Sequence, residues 1–157
     1  MCVTAKKYYF DTNAMFKYYR NEAESMPLRR LVAACPDPAL VSQLTILEFV
    51  SRLAKAYRKG ELKKRTIKRI LDRLKKDIHE KADSRFQVIK MPVGVFRAAE
   101  IILRQYSMES RIGIGSLDAL HVAIVTKLPS LSPVMVTWDK AMQRVCEKLE
   151  IEVYSPD

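Results

Sequence analysis

A chain of 157 residues that is 48% apolar and 29% charged carries enough hydrophobic material to bury a core, which excludes a disordered or low-complexity polymer. Lys and Arg number 28 against 18 Asp and Glu, a formal charge of +10, so a polyanion is the expected partner. No glycine- or proline-rich linker and no repeat of fixed period divides it, so residues 1–157 are read as one domain.

In chain order, KYYF (7–10) reads as a buried aromatic strand, followed by helical segments over 12–20 and 27–35. After Pro36-Asp37-Pro38, ALVS (39–42) is a short strand. A helix over 44–59 carries Leu44, Leu47, Val50 and Leu53 as its apolar stripe, and Gly60 ends it. A second helix over 61–81 places Ile67, Ile70, Leu71, Leu74 and Ile78 at helical spacing, more apolar surface than one short domain face needs. FQVIKM (86–91) is a strand, and Pro92 suits the first turn of a helix that runs to about Met108. RIGIG (111–115) is a loop, Ser116 the N-cap of a helix to Lys127, PVMVT (133–137) a strand, 139–149 a helix and IEVY (151–154) a last strand. This alternation predicts an α/β fold with a largely parallel sheet and a basic helical hairpin inserted after the second strand.

Four acids share one placement. Asp11 ends the first strand, Glu48 lies in the first turns after ALVS, Asp118 opens the helix after the glycine loop, and Asp139 follows PVMVT. Functional sites in open α/β sheets gather beyond the carboxyl ends of the strands, where all four would meet. Capping accounts for each acid singly. Asp11, Ser116 and Asp139 suit N-caps, and Thr45 and Glu48 have capping-box spacing. Capping does not require acids after the strands of both halves of the chain. Convergent carboxylates repel, and a site with no His or Cys ligand suits a hard cation, Mg²⁺ or Mn²⁺. Such an ion polarises a phosphoryl oxygen and activates water, so an acidic centre in a basic protein points to a phosphodiester substrate.

Four motifs in order, strand-DTN (Asp11, Thr12, Asn13), TILE (Glu48), LDALHVA (Asp118 to Ala123) and VTWD (Val136 to Asp139), resemble those of the PIN-domain nucleases, and in length and layout the VapC-like toxins of toxin–antitoxin pairs. The resemblance spans most of the chain. It implies a three-layer α/β/α fold around a parallel sheet and Mg²⁺- or Mn²⁺-dependent endoribonuclease activity. It also implies a catalytic and metal-binding quartet of Asp11, Glu48, Asp118 and Asp139, with Asn13 and Thr137 supporting the acids. Asp11 and Asp118 would be the core ligands, with Glu48 and Asp139 binding through water or holding a second ion. A homodimer and an inhibitory antitoxin are the implied partners. Trp138 is bulky for its place between Thr137 and Asp139, and the hairpin is unusually long and basic.

The stretch from Arg58 to Lys76 is dominated by Lys and Arg, including Lys64, Arg65 and Lys68. Opposite an apolar stripe these charges form a solvated face, an RNA-backbone track or a docking face for an acidic partner. His121, three residues after Asp118, suits a partly buried histidine donating to a carboxylate better than a general base. Tyr18 and Tyr19 could stack on bases if exposed, although core packing is the simpler role. Cys2, Cys35 and Cys146 match neither a disulfide framework nor zinc spacing and fit free thiols. The N-terminus lacks a signal-peptide core, and the longest apolar run, 119–125, is too short to cross a bilayer. The expected location is the cytoplasm, with no membrane partner. Two other functions fit the residues: a non-catalytic RNA-binding regulatory module, and a nuclease for RNA processing outside toxin–antitoxin systems.

Overall fold

The computed structural model describes residues 5–78 and 83–154. Four strands, β1 (Tyr8–Phe10), β2 (Ala39–Ser42), β3 (Phe86–Ile89) and β4 (Val134–Val136), form one sheet in the order β3-β2-β1-β4. Every pairing is parallel, with Tyr9 opposite both Leu40 and Met135. Parallel strands need crossovers, and helices supply them on both faces. Helices α1 (Thr12–Tyr19), α2 (Ser25–Ala34), α3 (Gln43–Arg58) and α4 (Lys64–Asp77) enclose a core with Phe10, Val41, Phe86 and Val136. Helices α5 (Val95–Ile102), α6 (Ser116–Thr126) and α7 (Lys140–Lys148) enclose the other, with Tyr9, Leu40 and Met135. Neighbouring strand residues therefore serve opposite cores, and the result is an α/β/α sandwich.

Several local expectations are corrected. The buried face of α3 is Thr45, Phe49, Leu53 and Ala56, while Leu47 and Val50 are 70% and 42% exposed. Residues 44–50 are apolar on most sides, so periodicity leaves the helix phase open, and burial of Phe49 sets it. Tyr18 and Tyr19 lie in the core, packed edge-on at 5.0 Å from one another, and present no stacking surface. The α4 stripe is covered: Ile70 and Leu74 are buried, and Ile67, Leu71 and Ile78 pack against the same core. The capping box at α3 is Ser42 with Thr45, which leaves Glu48 one turn further on and free of capping. Gly115, not Ser116, caps α6.

Pro92 precedes α5, whose N-cap is Gly94 at φ 75°, and the α-helix gives way to a π-helical segment over Leu103–Glu109. The helix expected to reach Lys81 ends at Asp77, and residues 79–82 lie outside the described ones. IEVY contributes one parallel bridge, Met135 to Val153, rather than a strand. No helix among the described residues is long and apolar enough to cross a membrane.

Candidate active site

A cavity of about 750 Å³ opens at the carboxyl edge of the sheet and is lined by Asp11, Thr12, Asn13, Glu48, Asp118, His121 and Asp139. Each acid arrives from a different element. Asp11 is the first residue past β1 and caps α1, its Oδ1 accepting from Ala14 N at 2.6 Å. Its Oδ2 accepts from Thr137 Oγ1, which in turn accepts from Asp139 N at 3.1 Å. Asp139 caps α7 through Met142 N at 2.7 Å. Asp118 stands in the first turn of α6. The capping role and the position in the cavity thus coincide at Asp11 and Asp139. At Asp139 the cap uses Oδ1 and leaves Oδ2 to the cavity, whereas each oxygen of Asp11 already accepts one hydrogen bond.

Glu48 is held by one oxygen. Its Oε2 accepts from Thr12 Oγ1 at 2.8 Å and from His121 Nε2 at 2.7 Å. His121 is buried, and its Nδ1 lies 2.8 Å from the hydroxyl of Tyr9, itself in contact with Ser42 Oγ. The carboxylate that receives the histidine is therefore Glu48, across the cleft, and not Asp118 on the same helix. Thr12 and His121 complete the polar lining, and the Tyr9 hydroxyl, which lines nothing itself, braces His121 from the core behind it. Distance along the chain hides Tyr9, which reads as one more buried strand aromatic.

The electrostatics follow from crowding. Burial pushes the Asp11 carboxyl above its ordinary range, opposed by hydrogen bonds from Ala14 and Thr137, and Asp118 adds to the rise. Burial and the charge of Asp139 push Asp118 up as well. Burial acts the same way on Glu48, but the hydrogen bond and charge of His121, with help from Thr12 and Arg52, outweigh it and hold Glu48 below its usual range. Among the described residues no lysine or arginine forms an ion pair with Asp11, Asp118 or Asp139. An all-oxygen, mutually repelling donor set without a counter-charge fits a hard divalent cation in kind. No three acids, imidazoles or thiols among the described residues are gathered tightly enough to cage an ion unaided.

The cavity also shows basic residues apart from those on α4, two of them ahead of the run that dominates the sequence. Arg52, Lys55 and Lys59 line it from α3, below Glu48 on the same face. Their spacing from Glu48, four, seven and eleven residues, is a helical stripe legible in the sequence. Lys64, Arg65 and Lys68 are exposed on α4 and do not line the cavity.

The PIN domain family model matches residues 8–148, and the chain belongs to this family. No curated protein matches the sequence. Solved structures with a similar fold include FitAcB from Neisseria gonorrhoeae, at TM-score 0.68 and 17% identity over 94% of this chain and 96% of that one. A toxin–antitoxin complex from Klebsiella pneumoniae gives TM-score 0.59 and 16% identity over 96% and 98%. VapC20 from Mycobacterium tuberculosis, a sarcin–ricin loop cleaving toxin, gives 0.58 and 13% over 88% and 94%. These likenesses establish the α/β/α sandwich and its helical layers.

Asp11→Asn separates the structural and electrostatic parts of the site. Asn keeps the cap on α1 and removes a charge whose ionisation the fold disfavours. The folded chain holds the Asp11 proton more tightly than the unfolded chain, so this carboxyl costs stability as pH rises through its ordinary and then its raised pKa. In EDTA the Asn variant should melt a few degrees above the native chain at neutral pH. The gap should close as the solution is acidified below the ordinary aspartate range. Thermal melts across pH check this, and a gap that widens in acid would refute it.

Proposed function

We propose that this protein is a Mg²⁺- or Mn²⁺-dependent endoribonuclease, the toxin of a toxin–antitoxin pair, with Asp11, Glu48, Asp118 and Asp139 as its catalytic acids. The observation that carries the reading is their arrival from four elements on one cavity, with no cationic partner for three of them, inside a chain of net charge +10. Family membership supports a nuclease, and the toxin description of the neighbouring folds supports the biological class.

The bound ion would supply charge neutralisation at the scissile phosphate and an acidified water. The chain's own residues do the rest. Asp11 and Asp118 would hold the ion. Asp11 is fixed by Ala14 and Thr137 on one oxygen each, so its carboxylate plane is set before anything binds. Asp139 is oriented by its cap on α7. Glu48 offers Oε1 to the cleft because Thr12 and His121 occupy Oε2. Asn13 lies at the rim, where Arg52 Nη1 approaches its side-chain oxygen at 3.4 Å. Arg52, Lys55 and Lys59 neutralise phosphates on the strand entering along α3, and Lys64, Arg65 and Lys68 extend that track over α4. The protein works in the cytoplasm.

Two surfaces suit protein partners. Leu47, Val50 and Tyr57 are exposed on α3 beside the cavity, where an antitoxin would cover them and the site together. Val93, Phe96 and Met108 expose a second apolar area around α5, suited to a homodimer. Light scattering should return twice the mass of the chain, and a monomer at micromolar concentration would remove the dimer.

Asp118→Asn should lower cleavage of single-stranded RNA at least about a hundredfold, as should EDTA, while RNA affinity is retained. Expression of the native chain alone should arrest growth and the variant should not. Unimpaired cleavage by purified Asp118→Asn protein would end the proposed role.

Binding should weaken steeply with salt. Reversing Arg52, Lys55 and Lys59 to Glu should flatten the plot of log affinity against log salt by at least about 0.7 per lost contact. The same reversal of Lys64, Arg65 and Lys68 should have a smaller effect. Equal slopes for all three proteins would make both faces merely solvated.

A further inference from the structure

A second cavity, about 590 Å³, lies at the outer edge of β4, lined among others by Trp138, Lys140, Gln143, Arg144 and Tyr154. It adjoins the acidic cleft through three consecutive residues. Thr137 and Trp138 face the second cavity, and Asp139 faces the first. The indole of Trp138 is half-buried, with the Lys17 ammonium 5.4 Å from its centroid. Gln143 donates to the carbonyl of Thr137 at 2.9 Å and so ties α7 to this segment. Lys140 and Arg144 stand four residues apart on α7, exposed and without an ion-pair partner among the described residues. Glu147 is the one acid in the lining.

The sheet order gives these features a direction. Strands β2, β1 and β4 lie side by side. The helix that follows β2 carries the basic stripe into the first cavity, Asp11 follows β1, and Trp138 and α7 follow β4. A strand of RNA laid across the carboxyl edge would meet phosphate-binding cations, then the acids, then an indole flanked by two more cations. Aromatic side chains hold unpaired bases by stacking, and lysine and arginine beside them take the backbone. Trp138 packs part of its ring against the core that holds Phe10 and Val136, and the capping of α7 by Asp139 does not involve it.

Resting on the ribonuclease reading above, we propose that the Trp138 cavity is a nucleotide subsite: it stacks the base of an unpaired RNA nucleotide next to the one cut, with Lys140 and Arg144 on its phosphates. The substrate is then single-stranded at that position.

Trp138 is the only tryptophan of the chain, so its emission reports on this cavity alone. The probe is a fluorescein-labelled single-stranded oligoribonucleotide of about ten nucleotides, within the site size of one such groove. In EDTA, where cleavage is suppressed, the expected result is quenching of Trp138 emission with the same midpoint as the rise in probe anisotropy. Trp138→Ala should bind the oligonucleotide roughly five- to a hundredfold more weakly, and Trp138→Phe should recover most of the loss. Lys140→Ala with Arg144→Ala, which leaves the ring in place, should weaken binding and lower its salt dependence. Unchanged emission on binding, or unchanged affinity in Trp138→Ala, overturns the subsite and leaves the ribonuclease reading standing. Failure of the native chain to bind or cut any RNA overturns both.

Discussion

The carboxyl edge of this sheet depends on one buried carboxylate. Asp11 is almost wholly inaccessible, and a charge there is costly unless its oxygens are bound. One oxygen closes the first turn of α1, and the other takes the hydroxyl of Thr137 beyond β4. The same hydroxyl accepts the amide of Asp139, so the two sequence-distant acids share a bridge. Asp11 thereby sets the direction in which α1 leaves β1 and the distance between the ends of β1 and β4. Its repulsion with Asp118 remains unrelieved by any lysine or arginine ion pair among the described residues.

A second polar path performs the same service on the other side of the cleft. Tyr9 is a core aromatic of the central strand, yet its hydroxyl reaches Ser42, which caps α3, and His121, which lies in the middle of α6. The imidazole then meets Glu48. Two helices, α3 and α6, are thus registered against β1 by one phenol. Truncating such a group leaves several buried polar atoms unpaired at once, which costs more than any single hydrogen bond contributes. Among the described residues no buried side-chain polar atom lacks a partner, so the network is closed apart from the face that opens on the cavity.

Much of this is legible in the chain before folding. Four acids, each just past a strand or within the first turns of a helix, announce a common edge, because parallel strands all end on the same side. The elements themselves follow from alternation and from breakers such as Gly60. The stripe of Glu48, Arg52, Lys55 and Lys59 is equally legible, but the denser run of charge on α4 masks it. Charge density along the chain is a poor guide where an element's distance from the site is unknown.

What only the tertiary structure decided is phase and partnership. The segment Leu44 to Val50 is apolar on nearly every side, so the sequence permits several rotations of α3. Burial of Phe49 selects the one that exposes Leu47 and aims Glu48 at the cleft. The histidine of LDALHVA has an acid one turn away on its own helix, but packing of α6 against β1 hands it to Glu48 instead. Likewise Trp138 is only an odd residue in a motif until the sheet order places it in line with the acids. Local chemistry is written residue by residue and determines which elements form and which side chains can bear charge. Which of them meet depends on the sum of many small packing energies across the whole core, and no short stretch of sequence contains that sum.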